Sequence, residues 1–121
     1  MAGTLVANTI NTDTGLFSTN NAYNGIAKAW VNFNGVTTVT INNSFNVSSV
    51  TRNSSGNYTM SFTTAMPNVN YVISGTSLGS PQAWIMPIST GGITTTSLNF
   101  YSVTSSGVSD GNPVTVVIHG S

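Results

Sequence analysis

Apolar and polar positions alternate with period two over most of this chain, the pattern of strands with one buried face. In the run 26–33, Ala27, Ala29, Val31 and Phe33 share one face while Lys28, Trp30 and Asn32 share the other. Asn34-Gly35 is a hairpin turn signal, and 36–41 reads as the Thr/Val-rich strand that follows it. Phe45 and Val47 continue the alternation and Val50 breaks it, which predicts a bulge or a bend. Asn53-Ser54-Ser55-Gly56-Asn57 has turn composition. The clearest strand comes next, with Tyr58, Met60 and Phe62 on one side and Thr59, Ser61 and Thr63 on the other. Pro67-Asn68 closes it, and Val69, Tyr71 and Ile73 open another. Further strands are predicted at 83–88, 97–103 and 114–119, with loops at Gly91-Gly92 and 107–113. No segment longer than ten residues has helical periodicity. About eight short strands at fairly even spacing predict an all-β antiparallel sandwich or jelly-roll-like domain over residues 25–121.

Residues 1–24 have a different texture. Leu5, Val6 and Ile10 make a short extended segment, and the polar stretch 11–24 holds only Leu16, Phe17, Ala22 and Tyr23 as apolar or aromatic residues. This reads as an extended N-terminal arm or edge strand. Leu5, Val6 and Ile10 are the expected attachment residues, adding a strand to a neighbouring subunit. Met1-Ala2-Gly3-Thr4 lacks the charged start and long apolar run of a secretory signal. No apolar run reaches transmembrane length.

Composition narrows the function more than the fold. A length of 121 residues suits one domain, and 39% apolar residues suffice for one core. Only Asp13, Lys28, Arg52 and Asp110 carry a full charge, 3% of the chain, where a soluble domain has about a quarter. Ser, Thr and Asn supply roughly two-fifths of the residues, a neutral surface of hydroxyls and amides. Two cations cannot neutralise a run of phosphates, which excludes nucleic acid and anionic membranes as partners. With no net charge there is little self-repulsion, so self-association is expected. Cys is absent, so no disulfide framework is needed.

The census for chemistry is short. His119 is the only histidine and lies at the end of a predicted strand, where it reads as solvent-facing or inter-subunit rather than catalytic. Asp13 and Asp110 are the only acids, both in turn-like stretches, and Asp110-Gly111-Asn112-Pro113 is explained as a turn. One His and two Asp make no zinc site, and nothing signals a cofactor. The expectation is no enzymatic activity. Four Asn-x-Ser/Thr sequons, at Asn42, Asn46, Asn53 and Asn57, are what this composition yields by chance. Trp30, Tyr71, Trp84, Phe100 and Tyr101 read first as core. Trp84 and Tyr101, near loops, are the exceptions, and with Asp110 they are the candidate glycan or partner contacts.

Three stretches carry a resemblance. Ala27-Lys28-Ala29-Trp30-Val31-Asn32-Phe33-Asn34-Gly35 is followed by Ser44-Phe45-Asn46-Val47-Ser48-Ser49-Val50, and then by Gly56-Asn57-Tyr58-Thr59-Met60-Ser61-Phe62-Thr63-Thr64-Ala65-Met66-Pro67-Asn68. In this order they resemble a module that recurs in bacteriophage virion proteins, often at the end of tail-fibre-like chains of aquatic phages. The family's next strand begins Y-x-V; here it is Tyr71-Val72-Ile73. The resemblance is firm over about residues 26–75. It implies a β-rich virion surface module, commonly a homotrimer, exposed on the particle exterior. A chain with only a short arm before the module suggests a capsid decoration or cement subunit that binds the major capsid protein or other virion proteins. The alternative is a receptor-binding head or fibre tip that recognises host surface glycans.

Overall fold

The computed structural model describes residues 3, 4, 6, 9–12, 15–79, 83–88 and 90–120. Strands β1 (Thr9–Thr12) and β2 (Gly15–Ser18) and a short helix α1 (Thr19–Gly25) come first. Then follow β3 (Ala27–Asn34), β4 (Thr40–Phe45), β5 (Val47–Ser54), β6 (Asn57–Phe62), β7 (Val72–Ser77) and β8 (Ala83–Pro87). After a 3-10 turn at Thr90–Gly92 come β9 (Ser97–Thr104), β10 (Gly107–Val108) and β11 (Val114–His119). Every pairing is antiparallel, in the order β4-β3-β11-β7-β8-β9-β6-β5, with β10 on β9. The all-β antiparallel expectation holds.

The path divides where β7 meets β8. These strands share one registered pair, Thr76 with Trp84, against five or six along most other pairings. Two four-stranded layers result, β4-β3-β11-β7 and β8-β9-β6-β5. They face each other through Phe33 of β3, whose ring lies 5.1 Å from Tyr58 of β6 and 6.3 Å from Phe100 of β9, both edge-on. Edge-on aromatic pairs are worth about 0.5–1.5 kcal/mol beyond the area they bury. The alternation seen in the sequence builds this core directly. Ala29, Val31 and Phe33, then Tyr58, Met60 and Phe62, then Leu98 and Phe100, then Val114, Val116 and Ile118 are the buried phases of their strands. Of the buried polar residues Ser77, Ser102 and Thr104, the two serines bond each other at 2.7 Å.

The far ends of the path are joined by the chain itself. β4 runs into β5 through Asn46, whose φ of 54° is a left-handed conformation that Asn tolerates better than most residues. Its side-chain amide donates to Lys28 O at 3.0 Å and Thr64 O at 3.1 Å, and its Oδ1 accepts from Thr64 N at 2.7 Å. This corner nearly closes the sandwich. The two edges left over are irregular. β4 skips Asn42 between the pairs Asn32–Asn43 and Phe33–Ile41, and β5 shifts register at both of its ends. Bulges of this kind twist an edge away from further strand addition.

Three expectations are corrected. The strand expected at 36–41 begins at Thr40, because Asn34 Oδ1 caps Val36 N at 2.9 Å and Gly35 N is held by Gly111 O at 2.9 Å, making a five-residue loop. The strand after Pro67 starts at Val72, leaving Val69 exposed. The N-terminal segment is not simply extended, since its short-range pairing is satisfied by the β1–β2 hairpin and α1. Among the described residues that hairpin pairs with itself and not with the main sheet. The phase break at Val50 appears as the register shift between Val47 and Ser49.

Candidate functional site

Among the described residues, Asp110 is the most heavily bonded charged side chain. Arg52 reaches it from β5, with Nε at 3.0 and 3.1 Å from the two carboxylate oxygens and Nη2 at 2.8 Å from Oδ2. Gly56 N donates to Oδ1 at 2.7 Å from the β5–β6 turn, where φ is +68°. Tyr58 Oη lies 2.8 Å from Oδ1 and 3.0 Å from Gly35 O. The guanidinium hydrogen bonds hold the Asp110 carboxyl down at about 2, against the pull of partial burial, with Gly56 and Tyr58 contributing. Burial, then the neighbouring carboxylate, pushes the Tyr58 hydroxyl well above its usual range. Asp110 therefore pins the β5–β6 hairpin to the segment before β11. Both of its oxygens are engaged, so its place as a glycan or partner contact gives way to a structural one.

Lys28 has its partner within its own chain. Its Nζ donates to Tyr23 O and sits 3.5 Å from the centroid of the Tyr23 ring. Beside it opens a groove of about 570 Å³ lined by Tyr23, Ile26, Lys28, Phe45, Asn46 and Thr63, among others. The bulk of its wall is apolar side chain standing in solvent. Lys28 and Phe45 reach it from the outer face of the β4-β3 pair, next to Trp30, which pairs with Phe45 and with Val117.

A second surface lies on the other layer. Trp84 and Tyr101 point outward from neighbouring strands, and the register places Trp84 opposite Val103 and Met86 opposite Tyr101. Val108 of β10 pairs with Val103 and extends the strip. Neutral polar rows flank it. Thr76 and Thr115 share a hydroxyl bond of 2.8 Å on one side, and Asn57, Thr59 and Asn99 form an amide network on the other. Trp84 and Tyr101 thus share an outward face on neighbouring strands, whereas the Asp110 carboxylate is taken up by Arg52, Gly56 and Tyr58. Met86 was missed, although it lies two residues after Trp84 and shares its phase. Phe100 and Tyr71 are core residues.

Of the expected attachment residues, Val6 is exposed, Ile10 lies in β1 opposite Phe17, and Leu5 falls outside the described residues. Among the described residues no three His, Asp, Glu or Cys side chains come together. Both surfaces offer apolar contact, the groove beside the Lys28 cation and the strip beside neutral hydrogen-bonding rows. No family model, curated protein or solved structure matches the chain.

Proposed function

We propose that the chain is a structural subunit of a bacteriophage particle, a decoration or cement protein on the capsid exterior that assembles as a homotrimer and acts by binding alone. What carries this is the resemblance of segments 27–35, 44–50 and 56–68 to phage virion surface modules. Those segments supply β3, the Asn46 corner and β6. Their apolar members are largely core residues, so the likeness lies in what makes the sandwich rigid. A rigid, neutral module with apolar patches on its outer faces suits a role of joining neighbours. The separate β1–β2 hairpin suits an appendage that reaches the major capsid protein. Quantitative mass spectrometry of purified particles tests the proposal. Hundreds of copies per particle support it, and absence from particles refutes it.

One observation favours a second reading, a receptor-binding fibre tip. Trp84 and Tyr101 share an outward face rimmed by amides and hydroxyls, a surface on which a neutral sugar ring can stack. A copy number of a few to tens, together with a hit on a glycan array, supports this instead.

A further inference from the structure

Two apolar patches lie on opposite layers of the sandwich. In the groove beside Lys28, Tyr23, Ile26 and Phe45 remain 55%, 60% and 54% exposed. On the strip, Trp84, Met86 and Val108 remain 44%, 44% and 45% exposed. A solvated sheet face ordinarily carries polar residues at such alternate positions. This chain has Ser, Thr and Asn in abundance for that purpose, yet places large apolar side chains there.

Several observations favour another copy of the chain as the cover. Both edges of the main sheet are bulged, so association falls to the faces. The chain has no net charge, so copies approach without repulsion. The groove presents two aromatic residues and Ile26, and the strip has the make-up of an interface centre, with aromatic residues and Met, no charge, and its own neutral rim of Thr76, Thr115 and Asn57. The patches also match electrostatically. The groove holds one cation, already seated against an aromatic ring, and the strip holds aromatic faces and no charge that would repel it. A carboxylate-bearing partner would find that cation but bury its own acid against an otherwise apolar wall.

We propose that the strip of one copy seats in the groove of the next, with Trp84 and Met86 against Tyr23, Ile26 and Phe45. This rests on the self-association in the function proposed above, but it needs no particle to be true. Because the two patches are different surfaces on opposite layers, the contact is head-to-tail. Repetition closes into a ring when the rotation allows, three copies for the trimer proposed above, and otherwise extends as a filament.

Sedimentation velocity on the full chain tests this without phage. Wild type is expected to sediment as a concentration-dependent oligomer. Met86→Lys, which sets a second cation against Lys28, is expected to weaken association at least about 30-fold, as is Phe45→Ser in the groove. Mixing the two variants gives the decisive readout. The intact groove of the Met86→Lys chain and the intact strip of the Phe45→Ser chain permit one good contact, so the mixture should form heterodimers and stop there. Heterodimer formation also shows that both variants are folded. Three results overturn the proposal: a monomeric wild type, two variants that still assemble, or a mixture that yields no heterodimer. A monomer whose Trp84 emission responds to a neutral oligosaccharide, not to protein concentration, also overturns it and assigns the strip to a glycan. Since particle copy number is measured separately, loss of this contact and loss of the virion role are distinguishable.

Discussion

Replacing Asp110 removes the acceptor that Arg52, Gly56 and Tyr58 share. In Asp110→Ala, Tyr58 keeps Gly35 O as a partner, while the Gly56 N–H and the guanidinium lose theirs. Hydrogen bonds to a charged group contribute about 1.5–3 kcal/mol, and stranding a donor adds to the loss, so about 2–4 kcal/mol of stability should disappear at neutral pH. The charge-dependent share can be worked from titration. A carboxyl held at about 2 instead of 3.8 corresponds to at most about 2 kcal/mol, and screening by solvent around the ion pair reduces it to about 1–2 kcal/mol. The sign is fixed by the direction of the shift. The folded state binds its proton more weakly than the unfolded state, so this contribution is complete above pH 3.8 and fades as pH falls toward 2. Urea unfolding of wild type and Asp110→Asn from pH 7 down to pH 2 measures it, with the variant subtracting the titration of every other carboxyl. The two stability curves should converge by about 1–2 kcal/mol between pH 4 and pH 2. Curves that run parallel throughout, or an Asp110→Ala protein as stable as wild type at pH 7, would refute the network.

Other consequences are equally direct. Gly35→Ala sets a Cβ into the Tyr58 hydroxyl and should cost about 1–3 kcal/mol, seen as a fall in Tm of several degrees. Ser102→Ala leaves the buried Ser77 hydroxyl without its partner and should cost about 1–3 kcal/mol, whereas the Ser77→Ala, Ser102→Ala double variant should cost less than the sum of the singles. Asn46→Ala removes three hydrogen bonds at the left-handed corner and should cost about 2 kcal/mol or more, while Asn46→Gly recovers the backbone part, both read by chemical denaturation. Deleting residues 1–20 should leave the main sheet folded by circular dichroism, since β1 and β2 pair only with each other, but should abolish incorporation into particles. Normal incorporation of that truncation rules the arm out.

The strands were legible because their chemistry is local. Ala29, Val31 and Phe33 or Tyr58, Met60 and Phe62 fall every second residue, and a period of two admits one reading of which face is buried. Aromatic placement was legible in part. Trp84 stood out for its place near a loop, but its side of β8 became an outer face only when β8 paired with β9 and the layers closed around Phe33. The loop at Asn34-Gly35 could not be read, because its length is set by Gly111 and Tyr58, far away in sequence.

The sequence by itself determined an all-β domain with a neutral surface and almost no charge, since composition and periodicity are properties of short windows. Only the tertiary structure decided what the few charges do. Asp110 looks like a turn residue in a line of letters. Its carboxylate ties the β5–β6 hairpin to the segment before β11 because Arg52, Gly56 and Tyr58, more than fifty residues earlier, are folded onto it. Lys28 likewise has no partner that a line of letters can show, and the turn of α1 into β3 gives it a carbonyl and an aromatic ring. Partners distant in sequence leave no local periodic trace, so which side chains meet is settled when the layers close.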